Sequence, residues 1–165
     1  TVLRNHALSA WLRLMWQRLA SSSTDPQLAA IAGKAVKEAR YHEQHAGDWV
    51  VRLGDGTDES ARRMKAALAR MAPYVAELFD GDEVDDAAKT QGLGPAWSDL
   101  REPWLEAVRE VYAEAALDLP AAVTVQKPRF LSTGRQHCRR SVRLHQPNRL
   151  PPEPSRFGEP LRAPI

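Results

Sequence analysis

The run KAVKEARYHEQHAGDWVVRLGDGTDES, residues 34–60, decides the fold class because it joins two helical patterns through a very short turn. Across residues 31–49, six residues recur at spacings of four, three, four, three and four, and they therefore lie on one helix face. They are Ile31, Ala35, Glu38, His42, His45 and Trp49. In the turn GDGT, Gly54 suits the left-handed position after a helix, and Thr57 can cap the next helix. So short a link predicts two antiparallel neighbouring helices.

Four helical patterns follow one another along the chain, and no stretch shows sustained strand alternation. We predict helices over Leu3–Ala20, Pro26–Leu53, Asp58–Phe79 and Trp97–Leu117. Asp25 is a capping residue ahead of Pro26, which is favourable at the start of a helix. Pro73 is expected to bend the third helix or to begin a new turn. The acidic run DGDEVDD is predicted to be a connector.

The other three helices each carry an apolar stripe that is expected to face inward. In the first helix the stripe is Leu8, Leu12, Met15 and Leu19. In the third it is Ala61, Met64, Leu68, Met71, Val75 and Leu78. In the fourth it is Leu100, Trp104, Val108, Val111 and Ala115. The fold class predicted from these stripes is all-α, a partial bundle of about four helices.

The charge distribution divides the chain into two parts. Residues 1–128 carry 15 Lys/Arg and 19 Asp/Glu, whereas residues 129–165 carry 8 Arg and 2 Glu together with half of the 12 prolines. We therefore predict a helical domain over 1–128 and an irregular, disordered Arg/Pro-rich tail over 129–165. An arginine-rich tail without interleaved aromatics, on an acidic body, does not favour nucleic-acid binding. No run is long and apolar enough for a membrane span, and a single cysteine, Cys138, favours a cytoplasmic setting.

The polar residues of the second helix raise the question of a metal site. A di-metal centre in a helical bundle takes a Glu from each of two helices and a Glu-x-x-His motif from each of two others. Here Tyr41 stands three residues after Glu38, and His42 stands one position too late. Glu38, His42 and His45 are therefore weak candidate ligands. The alternative is that they hydrogen-bond one another or a neighbouring helix, and we expect no metal in this chain.

The run from Ser21 to Phe79 resembles the PaaC family, the structural subunits of phenylacetyl-CoA oxygenases. The similarity is most specific in KAVKEARYH and DWVVRLGDGTDES. It continues through LFDGDEVD and the tryptophan-containing fourth helix to STGRQ, which ends at Gln136. The resemblance covers about residues 8–136.

This resemblance implies a ferritin-like helical bundle within a multisubunit monooxygenase that epoxidises the ring of phenylacetyl-CoA in aerobic phenylacetate catabolism. It implies that iron and substrate lie in a catalytic sibling subunit, that a reductase supplies electrons, and that this chain has no catalytic residue. The expected partners are that sibling and the other subunits. The sides of the second helix near Arg40/Tyr41 and Trp49/Arg52 are candidates for the contact. A rival hypothesis makes this chain a di-iron oxygenase that uses Glu38 and His42.

Two departures from the family pattern carry further expectations. Family members have an additional upstream segment that supplies the first bundle helices. After Gln136 the chain leaves the family pattern and becomes rich in Arg and Pro, which suggests a change of reading frame. With apolar faces left uncovered, we expect an isolated chain of marginal stability.

Overall fold

The computed structural model describes residues 1–119, and these residues are predominantly helical. The α-helices are α1 (Val2–Ser22), α2 (Pro26–Gly54), α3 (Asp58–Val75), α4 (Glu83–Thr90) and α5 (Arg101–Glu114), with 3-10 turns over Ala76–Phe79 and Trp97–Leu100. The prediction of an all-α fold is confirmed. The predicted tail (129–165), the domain boundary at 128 and the reading-frame change after Gln136 all lie outside the described residues.

The helix boundaries follow from local capping. The Asp25 side chain accepts hydrogen bonds from the backbone N–H of Gln27 and Leu28 at 2.8 and 3.2 Å, and this starts α2 where the sequence predicted. The Thr57 hydroxyl accepts from the N–H of Ser60 at 3.2 Å and starts α3. Both predicted caps are confirmed.

Helix α1 lies at the centre of the described fold and contacts α2, α3 and α5. It forms a long antiparallel hairpin with α2, because only residues 23–25 connect the two helices. Trp104 of α5 is fully buried, and its indole N–H donates to the Ala7 carbonyl of α1 at 2.8 Å. This bond fixes α5 against α1. None of the helices in residues 1–119 is both long and apolar enough to cross a bilayer.

The predicted apolar stripes of the third and fourth helices form the core. Met64, Leu68 and Val75 are buried on α3, and Leu100, Trp104, Val108 and Ala115 are buried on and around α5. The α-helical part of the third helix ends at Val75, two residues after Pro73, and a 3-10 turn continues it. The new turn thus begins three residues after Pro73, which itself lies inside α3, rather than at the proline as predicted.

The prediction that Leu8 of α1 faces inward is wrong. The residues of α1 that are buried are Leu3, His6, Ala7, Ala10, Trp11 and Leu19, whereas Leu8 is 41% exposed. Because α1 is contacted by three helices, its small residues Ala7 and Ala10 are needed for close approach, and the bulkier leucine lies to the side.

The predicted acidic connector DGDEVDD contains the start of a helix, and treating all of it as a connector was wrong. The Asp82 side chain accepts from the N–H groups of Val84 and Asp85, and the Asp85 side chain accepts from the Asp82 N–H at 2.8 Å. This reciprocal capping box begins α4. Acidic residues in the first turn are also favourable at the positive end of the helix dipole.

Gly54 was predicted to adopt the left-handed backbone conformation that follows a helix, and this prediction is wrong. Gly92 is the glycine with a positive φ among the described residues, so Gly54 is not in the left-handed region. Gly54 is instead the last residue of α2, where it is buried against Ala115 just after α5. A glycine is required there by the close approach of two helix ends.

Candidate functional site

The three weak candidate ligands of α2 lie on the solvent side of the helix. Glu38, His42 and His45 are exposed, and none of them hydrogen-bonds to another residue in the described part of the chain. The prediction that these three residues hydrogen-bond one another or a neighbouring helix is therefore wrong for residues 1–119. The side of α2 that is buried is lined by Ala32, Ala39 and Ala46, small residues at a seven-residue spacing that allow close packing.

The donor set on α2 does not fit a di-iron centre. Glu38, His42 and His45 come from one helix, whereas such a centre draws carboxylates and histidines from four helices. No Glu is followed by a His three residues later anywhere in the sequence. Residues 1–119 also contain no group of three or more His, Cys, Asp or Glu that could hold a metal ion.

A polar cleft that the sequence did not reveal lies between α1, α2 and α5. Its volume is about 310 Å³, at the small end of the range for ligand pockets. Its lining includes His6, Arg13, Glu43, Gly47, Glu110 and Val111.

His6 is the most deeply buried polar residue of this cleft, with a relative exposure of 1%. Burial disfavours the imidazolium and lowers the pKa of His6 below its usual 6.5, and the nearby Glu43 carboxylate only partly opposes this. Its Nδ1 has no hydrogen-bond partner among the described residues. The ring lies 5.5 Å from that of Tyr112, centroid to centroid. Burial also raises the pKa of the Tyr112 phenol, so both groups are uncharged at neutral pH.

Gly47 determines the shape of the cleft above His6. A Cβ atom at this position would lie 3.4 Å from Cδ2 and 3.5 Å from Nε2 of His6, and 3.7 Å from Cγ1 of Val111. The Nε2 edge of the imidazole therefore faces α2 and the cleft. A mid-helix glycine costs helix stability, and here it leaves space beside a buried histidine.

An ion pair joins the two long helices at the edge of the cleft. The Arg13 guanidinium of α1 donates to both carboxylate oxygens of Glu43 on α2, one at 3.0 Å, and also to the amide oxygen of Gln17 at 2.9 Å. The Arg13 and Glu43 side chains are only 18% and 15% exposed. A bidentate, part-buried pair fixes the register of the hairpin better than an exposed pair does.

The cleft is lined by charged side chains of both signs, such as Arg13 and Glu110. Its described lining has no serine, threonine or cysteine that could act as a nucleophile, and its one histidine is held uncharged. Two sequence signals pointed to it and were missed. His6, Ala10, Arg13 and Gln17 recur at spacings of four, three and four on α1. A glycine also interrupts the middle of α2 at Gly47.

Comparison with known proteins gives two consistent matches. The family described as phenylacetic acid catabolic protein matches residues 1–138. One of the subunits of the 1,2-phenylacetyl-CoA epoxidase of Escherichia coli (strain K12) is 42% identical over 120 residues, which are 73% of this chain and 48% of that protein. The chain thus spans about half the length of this relative.

Proposed function

The chain belongs to the phenylacetic acid catabolic protein family, and on that basis we propose that it is a non-catalytic structural subunit of a phenylacetyl-CoA monooxygenase. In this proposal it pairs with the di-iron catalytic subunit of a ring epoxidase in aerobic phenylacetate catabolism. The observation that carries the proposal is the 42% identity to a protein named as a subunit of such an epoxidase. Its location would be the cytoplasm, where a lone cysteine such as Cys138 is usual.

The donor set described above supports a non-catalytic role. Glu38, His42 and His45 are exposed on a single helix and supply too few ligands for a pair of iron ions. We propose that this chain carries no cofactor and that the iron of the complex lies in the sibling subunit, which receives electrons from a reductase. The residues of this chain would act by holding a rigid helical surface against the sibling.

Co-purification tests the proposal. We expect the full chain, co-expressed with a tagged catalytic ferritin-like subunit of a phenylacetyl-CoA epoxidase, to be retained with it on an affinity column. The same chain should be lost when the tagged protein is an unrelated ferritin-like protein.

Metal analysis distinguishes the proposal from its rival. Purified alone, the chain should contain close to no iron, and the iron of the complex should follow the amount of sibling. About two iron ions per chain in the isolated protein, lost on Glu38→Ala or His42→Ala substitution, would establish the catalytic alternative instead. Failure to co-purify with the sibling in the absence of bound iron would refute both.

A further inference from the structure

The last part of α5 ends in a strained backbone conformation. We call residues 108–117 the α5 end. The Leu117 N–H donates to the Tyr112 carbonyl at 2.8 Å, and the next N–H before it, that of Ala116, donates to the Ala113 carbonyl at 3.1 Å. This is the hydrogen-bond pattern of a Schellman motif, which places one residue in the left-handed region. Ala116 occupies that position with a φ of 52°, and an alanine is strained there because its Cβ crowds the backbone.

The α5 end is held against the hairpin of α1 and α2 by apolar packing. Trp104, which precedes it, is anchored by its hydrogen bond to the Ala7 carbonyl. Beyond this anchor, Val108 and Tyr112 are buried, but the Tyr112 hydroxyl has no hydrogen-bond partner among the described residues. A buried hydroxyl without a partner costs free energy that is recovered when water reaches it. The α5 end is therefore easier to separate from the hairpin than the start of the helix.

His6 lies beneath the α5 end, at the junction of three helices. Its ring is 5.5 Å from that of Tyr112 on α5, and a Cβ at position 47 of α2 would touch it at 3.4 Å. On the α2 side the bidentate ion pair of Arg13 with Glu43 ties the two long helices together. Water that solvates His6 therefore enters by displacing α5 rather than α2.

An imidazolium at this position has no solvation and no free counter-ion. His6 is 1% exposed, and burying an unpaired charge is costly. The carboxylate of Glu43 is near, but both of its oxygens already accept from Arg13. Burial accordingly keeps the pKa of His6 below its usual value. The charged side chains that line the cleft beside His6 are Arg13 on α1, Arg40, Glu43 and Asp48 on α2, and Glu110 and Glu114 on α5.

We propose that protonation of His6 opens the α5 end, which separates from the α1–α2 hairpin as a local unit while Trp104 stays anchored. In the open form water reaches the imidazolium and the Tyr112 hydroxyl, and the strain at Ala116 is released. Acidification thus changes the conformation of one helix end while α1 and α2 remain folded. This inference does not depend on the proposed function.

Hydrogen exchange of the full chain tests the opening. After correction for the intrinsic exchange rates, the protection of amides 108–117 should fall by up to about 25-fold between about pH 7 and pH 5, because His6 takes up a proton in the open form with its usual pKa of 6.5. Low concentrations of urea should leave this exchange unchanged, since a local opening exposes little surface. The amides of α1 and α2 should instead exchange through urea-dependent global unfolding.

Substitutions of His6 test whether this residue is the proton acceptor. His6→Phe keeps a ring of similar size and should abolish the pH dependence of protection in residues 108–117. His6→Gln, which is polar and does not titrate, should do the same, so the result does not depend on one way of repacking. The measured quantity is the loss of pH dependence, because a purely structural role of His6 would change the protection equally at both pH values.

A pair of glycine substitutions tests the strain. Ala116→Gly places a glycine in the left-handed position and should increase the protection of the α5 end roughly fivefold at every pH. The matched control is Ala113→Gly, the same chemical change inside α5, where the backbone is helical. It should decrease the protection roughly fivefold, since glycine disfavours a helix interior.

Four results would overturn the inference. The first is a wild-type chain in which the protection of residues 108–117 does not depend on pH. The second is an unchanged pH dependence in both His6 variants. The third is exchange of residues 108–117 with the same urea dependence as α1 and α2, which would leave global unfolding as the only opening. The fourth is an Ala116→Gly variant whose α5 end is no better protected than that of Ala113→Gly.

Discussion

Substituting alanine for Gly54 should disrupt the contact between the end of α2 and the end of α5. An added Cβ would lie 2.7 Å from the Ala115 Cβ and 3.0 Å from the Ala115 Cα, and the Ala115 carbonyl oxygen is also within contact distance. These are backbone and short side-chain atoms, which cannot rotate away. One of the two helix ends would therefore have to move.

The cost of that movement can be set against a control in the same helix. Inserting a methyl group into a packed contact typically costs about 1–3 kcal/mol. Gly33 is exposed in the middle of α2, and a Cβ there meets nothing within 4 Å. Gly33→Ala should therefore stabilise the helix by roughly 0.8–1 kcal/mol, the difference in helix propensity. Both substitutions restrict the unfolded chain alike, so this effect cancels when the two variants are compared.

Thermal and urea unfolding, followed by circular dichroism, measure the difference. We expect Gly33→Ala to unfold at a higher temperature than the wild-type chain and Gly54→Ala at a lower one. A combined difference of about 2–4 kcal/mol corresponds to a separation of roughly 5–15 °C for a domain of this size. If Gly54→Ala unfolds within about 1 °C of Gly33→Ala, the close approach of the two helix ends does not exist, since 1 kcal/mol should shift the midpoint by at least 2 °C.

Three further substitutions test the cleft and the core. Burial lowers the pKa of His6 below 6.5, so the unfolded state binds more protons as the pH falls. The free energy of unfolding should therefore fall as pH decreases from about 7 to 5, and His6→Phe should flatten this dependence in urea titrations. An unchanged pH dependence in the His6→Phe variant would contradict this reasoning. Arg13→Ala removes one partner of a part-buried ion pair and should lower the free energy of unfolding by about 1–3 kcal/mol. Arg62→Ala is the control because its ion pair is exposed, and it should change the free energy of unfolding by less than about 0.5 kcal/mol. Equal effects of the two substitutions would contradict this reasoning. Trp104→Phe keeps an aromatic ring but loses the buried N–H donor, so the free energy of unfolding should fall by about 1–3 kcal/mol. An unchanged urea midpoint would show that this hydrogen bond does not contribute to stability.

The sequence predicted the helices and caps because these depend on local chemistry. Asp25 and Thr57 are capping residues whose side chains reach N–H groups two or three residues away. The stripe of α5 was also predicted, since a run containing Trp104 and Val108 has only one apolar face. Where one face of a helix is apolar and the other is charged, the period alone identifies the core side.

The orientation of α2 could not be predicted in this way because the helix has two candidate faces. One face carries Ala32, Ala39 and Ala46, and the other carries Tyr41 and Trp49. Large aromatic residues are common both in cores and at interfaces, so the period alone does not identify which of the two faces is the inner one. The alanines are buried because α1 approaches closely, and that distance is a property of the pair of helices rather than of either sequence.

The burial of His6 was not predicted from the sequence, for a related reason. A lone histidine on a helix has no local signal for burial, and its environment comes from Tyr112 and Gly47, residues far from it in the chain. The same holds for Gly54, whose role depends on Ala115. Local rules predicted a turn at GDGT. The reason why its first residue is a glycine is the tertiary contact of Gly54 with Ala115.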